Sequence, residues 1–328
     1  MLKDSFGRQI EYLRISVTDR CNLRCVYCMP PDGIEKMEHD RIMHFEEIAE
    51  VVRVAAQYGV RAVRLTGGEP LVRKELPRLV EMIAKTPGIE DVSLTTNGIL
   101  LAHQAADLAA AGLKRVNVSL DTLNPEKFTR ITRGGNIETV WAGIAAAEKA
   151  GLSPIKINAV AMRGVNEDEL MAMALLAKDH PWKVRFIELM PVKNQVSWGA
   201  GFPNPEKAFI SIHEMMQILE PLKLEPLPRE VGLGPAREYS VDGWMGNVGF
   251  ISAVSEHFCA DCNRLRLTAD GNLRPCLLSD VEIPLLPALR AGEPILPLLQ
   301  RVLEIKPKGH TLAENLTPNG RCMQQIGG

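Results

Sequence analysis

The chain has 328 residues, 46% of them hydrophobic and 24% charged, with a formal net charge of −2 at pH 7. This length accommodates one large α/β domain with a smaller one appended. The near-neutral charge excludes a general attraction for nucleic acid or an anionic membrane, so any acidic ligand must be held by local basic residues. No apolar run approaches the ~20 residues that span a bilayer, and the opening Met-Leu-Lys-Asp-Ser-Phe-Gly-Arg has no apolar signal core. Seven cysteines, an odd number in clustered spacings, argue against a disulfide framework and for a reducing compartment. These features predict a soluble, cytoplasmic protein.

Six short β-rich runs alternate with helical ones. A first strand is predicted over 11–17, followed directly by Cys21, Cys25 and Cys28 in the run Cys-Asn-Leu-Arg-Cys-Val-Tyr-Cys. Three is the informative number. A structural zinc site takes four protein ligands, whereas a cubane iron–sulfur cluster on three thiolates keeps one iron open. A zinc loop completed by a distant ligand, or three unrelated buried thiols, are the alternatives. Helices over 45–58, 101–111 and 138–150 end at Gly59, Gly112 and Gly151, which suit the left-handed position past a helix end. A fourth is expected over 166–180 with Asn166 as N-cap. Further strands are expected over 62–66, 91–96, 115–120, 155–161 and 184–189. Six βα repeats imply a parallel sheet, two strands short of a closed eight-stranded barrel, hence a partial barrel of (β/α)6 type. Residues 191–235, rich in proline with a helix near 211–219, read as a connection. Residues 236–270 are more β-like, with a hairpin signal at Asp270-Gly271. The domains are accordingly placed at 5–229, with the barrel ending near 190, and at 230–328, a C-terminal α+β unit.

Strand alternation locates the polar faces. With the apolar positions packed against outer helices, Arg14 and Ser16, Arg64 and Thr66, Ser93 and Thr95, Asn117 and Ser119, and Lys156 and Asn158 point inward. Barrel interiors are ordinarily filled with branched apolar residues, and buried cations need compensation. The inward positions carry almost no carboxylates, so a bound polyanion is expected. At the end of the second strand stands Thr66-Gly-Gly-Glu-Pro70, where glycines allow close backbone approach and a carboxylate can accept from an ammonium group. A second triplet, Cys259, Cys262 and Cys276, again has three ligands and no obvious fourth, leaving Cys322 as a free thiol.

The Cys-x3-Cys-x2-Cys run with its aromatic Tyr27 resembles the signature of the radical S-adenosylmethionine (radical SAM) enzymes. The second triplet with Asn263-Arg-Leu-Arg266 and Arg274-Pro-Cys276, together with Leu13-Arg-Ile-Ser-Val-Thr-Asp-Arg-Cys21, Leu94-Thr-Thr-Asn-Gly98, Phe186-Ile-Glu-Leu-Met-Pro191 and the final Gly327-Gly328, is similar to the branch of that superfamily that cyclises GTP in molybdenum-cofactor biosynthesis. The resemblance covers essentially the whole chain. It implies a radical SAM partial barrel, two 4Fe-4S clusters and S-adenosyl-L-methionine as cofactors, and a lyase-type reaction converting GTP to (8S)-3′,8-cyclo-7,8-dihydroguanosine 5′-triphosphate. It assigns Cys21, Cys25 and Cys28 to the cluster that binds S-adenosylmethionine, and Tyr27, Gly68, Glu69, Ser119 and Met190 to that cosubstrate. It assigns Cys259, Cys262 and Cys276 to the cluster that binds GTP. Arg14, Arg64, Thr95, Lys156, Arg264, Leu265 and Arg266 become GTP contacts, Arg185 a weaker one, and Arg14, Gly327 and Gly328 take catalytic roles. The implied partners are an electron donor and a downstream cyclic pyranopterin phosphate synthase, with a monomeric or homodimeric chain. A radical SAM enzyme modifying peptides, or a non-catalytic iron–sulfur sensor, are the competing functions; neither has a use for so many inward cations beside a Gly-Gly-Glu-Pro segment.

Overall fold

The computed structural model describes residues 1–190, 198–228, 234–310 and 320–327. The six predicted strands are present as β1 (Tyr12–Ser16), β2 (Ala62–Thr66), β3 (Asp91–Thr96), β4 (Arg115–Ser119), β5 (Lys156–Ala161) and β6 (Lys183–Glu188), paired in parallel in that order. Between them run α1 (Phe45–Gln57), α2 (Leu76–Ala84), α3 (Leu101–Ala110), α4 (Pro125–Thr132), α5 (Ile137–Lys149) and α6 (Leu170–Asp179). Each crossover helix buries one stripe against the sheet. In α1 this is Ile48, Val51, Val52 and Ala55, the i, i+3, i+4, i+7 spacing of a helix face. Gly59, Gly112 and Gly151 all have positive φ, as the helix ends require.

The sheet is longer than six strands. After α7 (Ile212–Ile218) come β7 (Glu225–Pro226), β8 (Arg237–Ser240), β9 (Asn247–Ile251), β10 (Arg264–Leu267), β11 (Asn272–Arg274) and β12 (Ile283–Pro284), followed by α8 (Leu286–Arg290) and α9 (Leu296–Glu304). The order is β12-β11-β10-β1-β2-β3-β4-β5-β6-β9-β8-β7. Strand β9 lies parallel to β6 and β10 parallel to β1, so the C-terminal part extends the partial barrel at both edges without closing it. The hairpin signal at Asp270-Gly271 is the β10–β11 turn, with Gly271 at positive φ.

Two features differ from the sequence reading. Asn166 makes no side-chain cap: buried completely, its amide accepts from the Met162 N–H at 2.7 Å and donates to the carbonyls of Asp121 and Val160, and a 3₁₀ turn precedes α6. The barrel interior also contains inward carboxylates. Asp91 shares the face of Ser93 and Thr95 and pairs with inward Arg115, while Arg185 pairs with Glu238 from β8.

Candidate active site

The C-terminal ends of the parallel strands surround one cavity of about 300 Å³. Its wall brings together both cysteine triplets, the Gly67-Gly68-Glu69 segment, Tyr27, Ser119, Met190 and the cations Arg14, Arg64, Arg185, Arg264 and Arg266. Loops at this end of parallel strands are where barrels of this type place chemistry.

The first triplet follows β1. Gly67 and Gly68 brace it: a Cβ on Gly67 would lie 2.6 Å from the Thr18 carbonyl oxygen, and one on Gly68 2.4 Å from that of Arg20. The backbone N–H groups of Gly68 and Glu69 donate to those same carbonyls at 2.9 and 2.8 Å. The glycines thus admit the cysteine loop itself, a closer neighbour than the ligand expected from sequence. Glu69 is 1% exposed and accepts from Leu71 N, Asn97 N and Thr96 Oγ1 at 2.7–3.0 Å. Burial still pushes its carboxyl up to about 7. Tyr27 donates its hydroxyl to Asp121 Oδ2 at 2.7 Å, so that hydroxyl is committed within the protein. Asp121 is itself raised to about 6 by burial and held by the Val160 N–H.

Burial raises all three thiols of this triplet, Cys21 to about 11 and Cys28 to about 12. The second triplet is set differently. Burial alone would raise Cys262, but Arg264 and Lys306 outweigh it and bring the thiol down to about 7. Among the described residues no three His, Cys, Asp or Glu side chains gather as a single metal ion requires. A cubane instead takes each thiolate on a separate iron, and two sets of three thiols lining one cavity fit that group.

Strand register sets the cations side by side. Arg14 pairs with Arg64 on β2 and with Arg266 on β10. Burial lowers Arg14, Arg64 and Arg266, the last to about 10, and for Arg14 and Arg266 neighbouring guanidinium groups are the next largest cause. Lys156 is brought down to about 6, first by burial and then by Arg185, Arg115 and Arg64. It is buried and does not line the cavity, and it has no carboxylate partner among the described residues. Four buried polar atoms of the wall, Tyr12 Oη, Thr95 Oγ1, Asn158 Oδ1 and Gln324 Oε1, also lack hydrogen-bond partners among the described residues. A buried crowd of like charge beside orphaned polar atoms is the signature of a site completed by a polar anion.

The tail reaches this interior. The Arg266 guanidinium donates to the carbonyls of Ile326 and Gly327 at 3.4 and 3.2 Å, and Gly327 has φ of 70° with Thr66 Cγ2 only 2.6 Å from where a Cβ would stand. Gly328 lies outside the described residues. Leu265 turns its side chain into the outer core, as alternation between Arg264 and Arg266 demands, so only its backbone can face a ligand.

Comparison with known proteins agrees with this geometry. The Radical SAM superfamily profile matches residues 15–177, and that of Molybdenum Cofactor Synthesis C matches residues 182–312. The protein named GTP 3′,8-cyclase in Pelotomaculum thermopropionicum is 50% identical over 333 residues, and that in Moorella thermoacetica 49% identical over 331, each alignment covering 100% of both chains. This chain belongs to the GTP 3′,8-cyclase family. The crystal structure of Streptococcus suis SuiB bound to S-adenosylmethionine has the same fold at 13% identity, with a TM-score of 0.61 over 97% of this chain and 72% of that one.

Within this family frame, sequence reasoning missed several wall residues. Tyr12 shares the inward face with Arg14 and could have been read from alternation. Asn97 and Glu188 follow or end strands and were legible only as parts of quoted motifs, and Asp121, just past β4, was not singled out. Glu188, 1% exposed, accepts from the N–H groups of Ile212, Val254 and Ser255, tying β6 to α7 and to the loop after β9. No helix among the described residues is long and apolar enough to cross a membrane.

Proposed function

We propose that this chain catalyses the radical SAM-dependent cyclisation of GTP to (8S)-3′,8-cyclo-7,8-dihydroguanosine 5′-triphosphate. The carrying observation is a single cavity lined by both cysteine triplets and by the cations Arg14, Arg64, Arg264 and Arg266. When bound, the cluster, reduced by one electron, and S-adenosylmethionine would supply a 5′-deoxyadenosyl radical that removes the ribose 3′ hydrogen so that C3′ can bond to guanine C8, with one further electron from the external donor and a proton completing the 7,8-dihydro product. Cys21, Cys25 and Cys28 would hold the cluster that serves the cosubstrate; Glu69, with lone pairs left beyond its three donors, would accept from the methionyl ammonium beside Gly68, Ser119, Met190 and Tyr27. Cys259, Cys262 and Cys276 would hold the second cluster at the purine end. Arg14, Arg64, Arg264 and Arg266, backed by Lys156, would clamp the triphosphate, with Thr95 filling its orphaned hydroxyl valence. Arg185, already neutralised by Glu238, contributes least. Gly327 would complete the site beside Arg266, and a catalytic role is proposed for Gly328 with it.

A cytoplasmic setting, an external electron donor, a monomer or homodimer and a downstream cyclic pyranopterin phosphate synthase complete the proposal. Equilibrium titration tests its substrate half. Charge-assisted hydrogen bonds contribute roughly 1.5–3 kcal/mol each, so GTP should bind at least tenfold tighter than guanosine and Arg266→Ala should remove about one to two orders of magnitude from GTP alone. Equal binding of GTP and guanosine to the native protein would refute it.

A further inference from the structure

Lys306 lies just past α9 and is 3% exposed. Its ammonium donates to the carbonyls of Arg264 and Pro275 at 2.9 and 2.6 Å and to Cys262 Sγ at 3.6 Å. Three acceptors converge on one nitrogen, and only the protonated amine has three N–H groups to meet them. The acceptors belong to both arms of the second triplet: Arg264 follows Cys262, and Pro275 precedes Cys276. The segment is anchored from behind by Arg8, whose guanidinium donates to the carbonyls of Cys259, Pro307 and Lys308 at 2.6–3.0 Å and pairs with Asp4.

Burial lowers the pKa of this amine; among the groups facing it, Cys262 and Cys276 favour the ammonium and Arg8 and Arg264 oppose it, and the two carbonyl contacts are what hold it in place. A fixed cation against a ligand sulfur favours added negative charge on whatever the sulfur holds.

Resting on the reading that Cys259, Cys262 and Cys276 hold a cluster, we infer that Lys306 is a positioning residue and charge partner of that second centre, joining its two arms and raising its reduction potential. It touches neither the substrate cavity nor the reacting atoms, so its effect passes through Cys262.

The test uses the full chain with Cys21, Cys25 and Cys28 replaced by serine, so that only the second triplet can bind iron after anaerobic reconstitution. Iron and sulfide are counted and the reduction potential is followed by electron paramagnetic resonance. With Lys306 native, one cluster per chain is expected. In Lys306→Gln and Lys306→Met the one-electron reduction equilibrium should weaken about tenfold, a fall of about 59 mV, whereas Lys306→Arg should stay near the native value. Loss of the cluster from both neutral variants with recovery in Lys306→Arg would likewise support the charge role. An unchanged potential in a cluster-bearing neutral variant, or loss that arginine does not restore, would overturn the inference while leaving the cluster reading intact. Failure of the Lys306-native background to bind any cluster would instead refute the cluster reading, and the inference with it.

Discussion

Lys156 makes a prediction that depends on electrostatics rather than on contact. Its amine falls from the ordinary 10.5 to about 6 through burial and the neighbouring Arg185, Arg115 and Arg64. At pH 7.5 roughly 3% of it carries a proton in the ligand-free chain. A triphosphate seated on Arg14, Arg64 and Arg266 brings negative charge into the same interior and should restore the ammonium, so binding should take up nearly one proton. Each unit of pKa recovered adds about 1.4 kcal/mol to affinity, and above pH 6 this group alone should weaken GTP binding about tenfold per pH unit until the pKa of the complex is reached. Calorimetric titration in buffers of different ionisation enthalpy counts the protons. The native value minus that for Lys156→Met cancels the nucleotide's own phosphate ionisation. A difference near one supports the reasoning, and equal counts refute it. The sign for folding follows from the same shift: between about pH 6 and 10.5 the unfolded chain binds the extra proton, so this residue makes the ligand-free protein more stable as pH rises through that window, with its full destabilisation present below about 6.

Gly68→Ala should destabilise the chain by about 1–3 kcal/mol or more and lower the iron bound at the first triplet, because its Cβ would meet the Arg20 backbone rather than a yielding side chain; an unchanged melting temperature and iron content would contradict this. Gly327→Ala, which forces a methyl into Thr66 at a left-handed backbone position, and deletion of residues 327–328 should each abolish cyclised product while leaving iron content intact. Full turnover by either variant would mean the tail is a bystander. In Cys259→Ala or Cys276→Ala, iron per chain should fall by about half while reductive cleavage of S-adenosylmethionine persists; loss of all iron would mean one shared site.

How much was legible in advance follows from range. The six core strands, their inward cations and the partial barrel came from two-residue alternation and βα spacing, both local signals. The short helix α2, with Pro77 in its first turn, and α4, capped by Asn124, were too brief to show a period. Strands β9 and β10 were seen as β-like but not as the outer edges of the same sheet, since their partners β6 and β1 lie far away in sequence. The pairings of Arg115 with Asp91 and Arg185 with Glu238 were missed for different reasons. The first was open to alternation, because Asp91 shares the parity of Ser93; the second needed β8 to be placed against β9. Lys306 gave no signal at all, since its three acceptors are assembled only by the fold.

The central claim is the reaction, and one measurement addresses it most directly: mass analysis of products after anaerobic reconstitution with iron and sulfide, reduction, and incubation with GTP and S-adenosylmethionine. The account predicts 5′-deoxyadenosine together with a nucleoside triphosphate of the mass of GTP but separable from it, bearing a C3′–C8 bond and absent when Cys259→Ala replaces the native chain. Formation of 5′-deoxyadenosine with GTP recovered unchanged would contradict it.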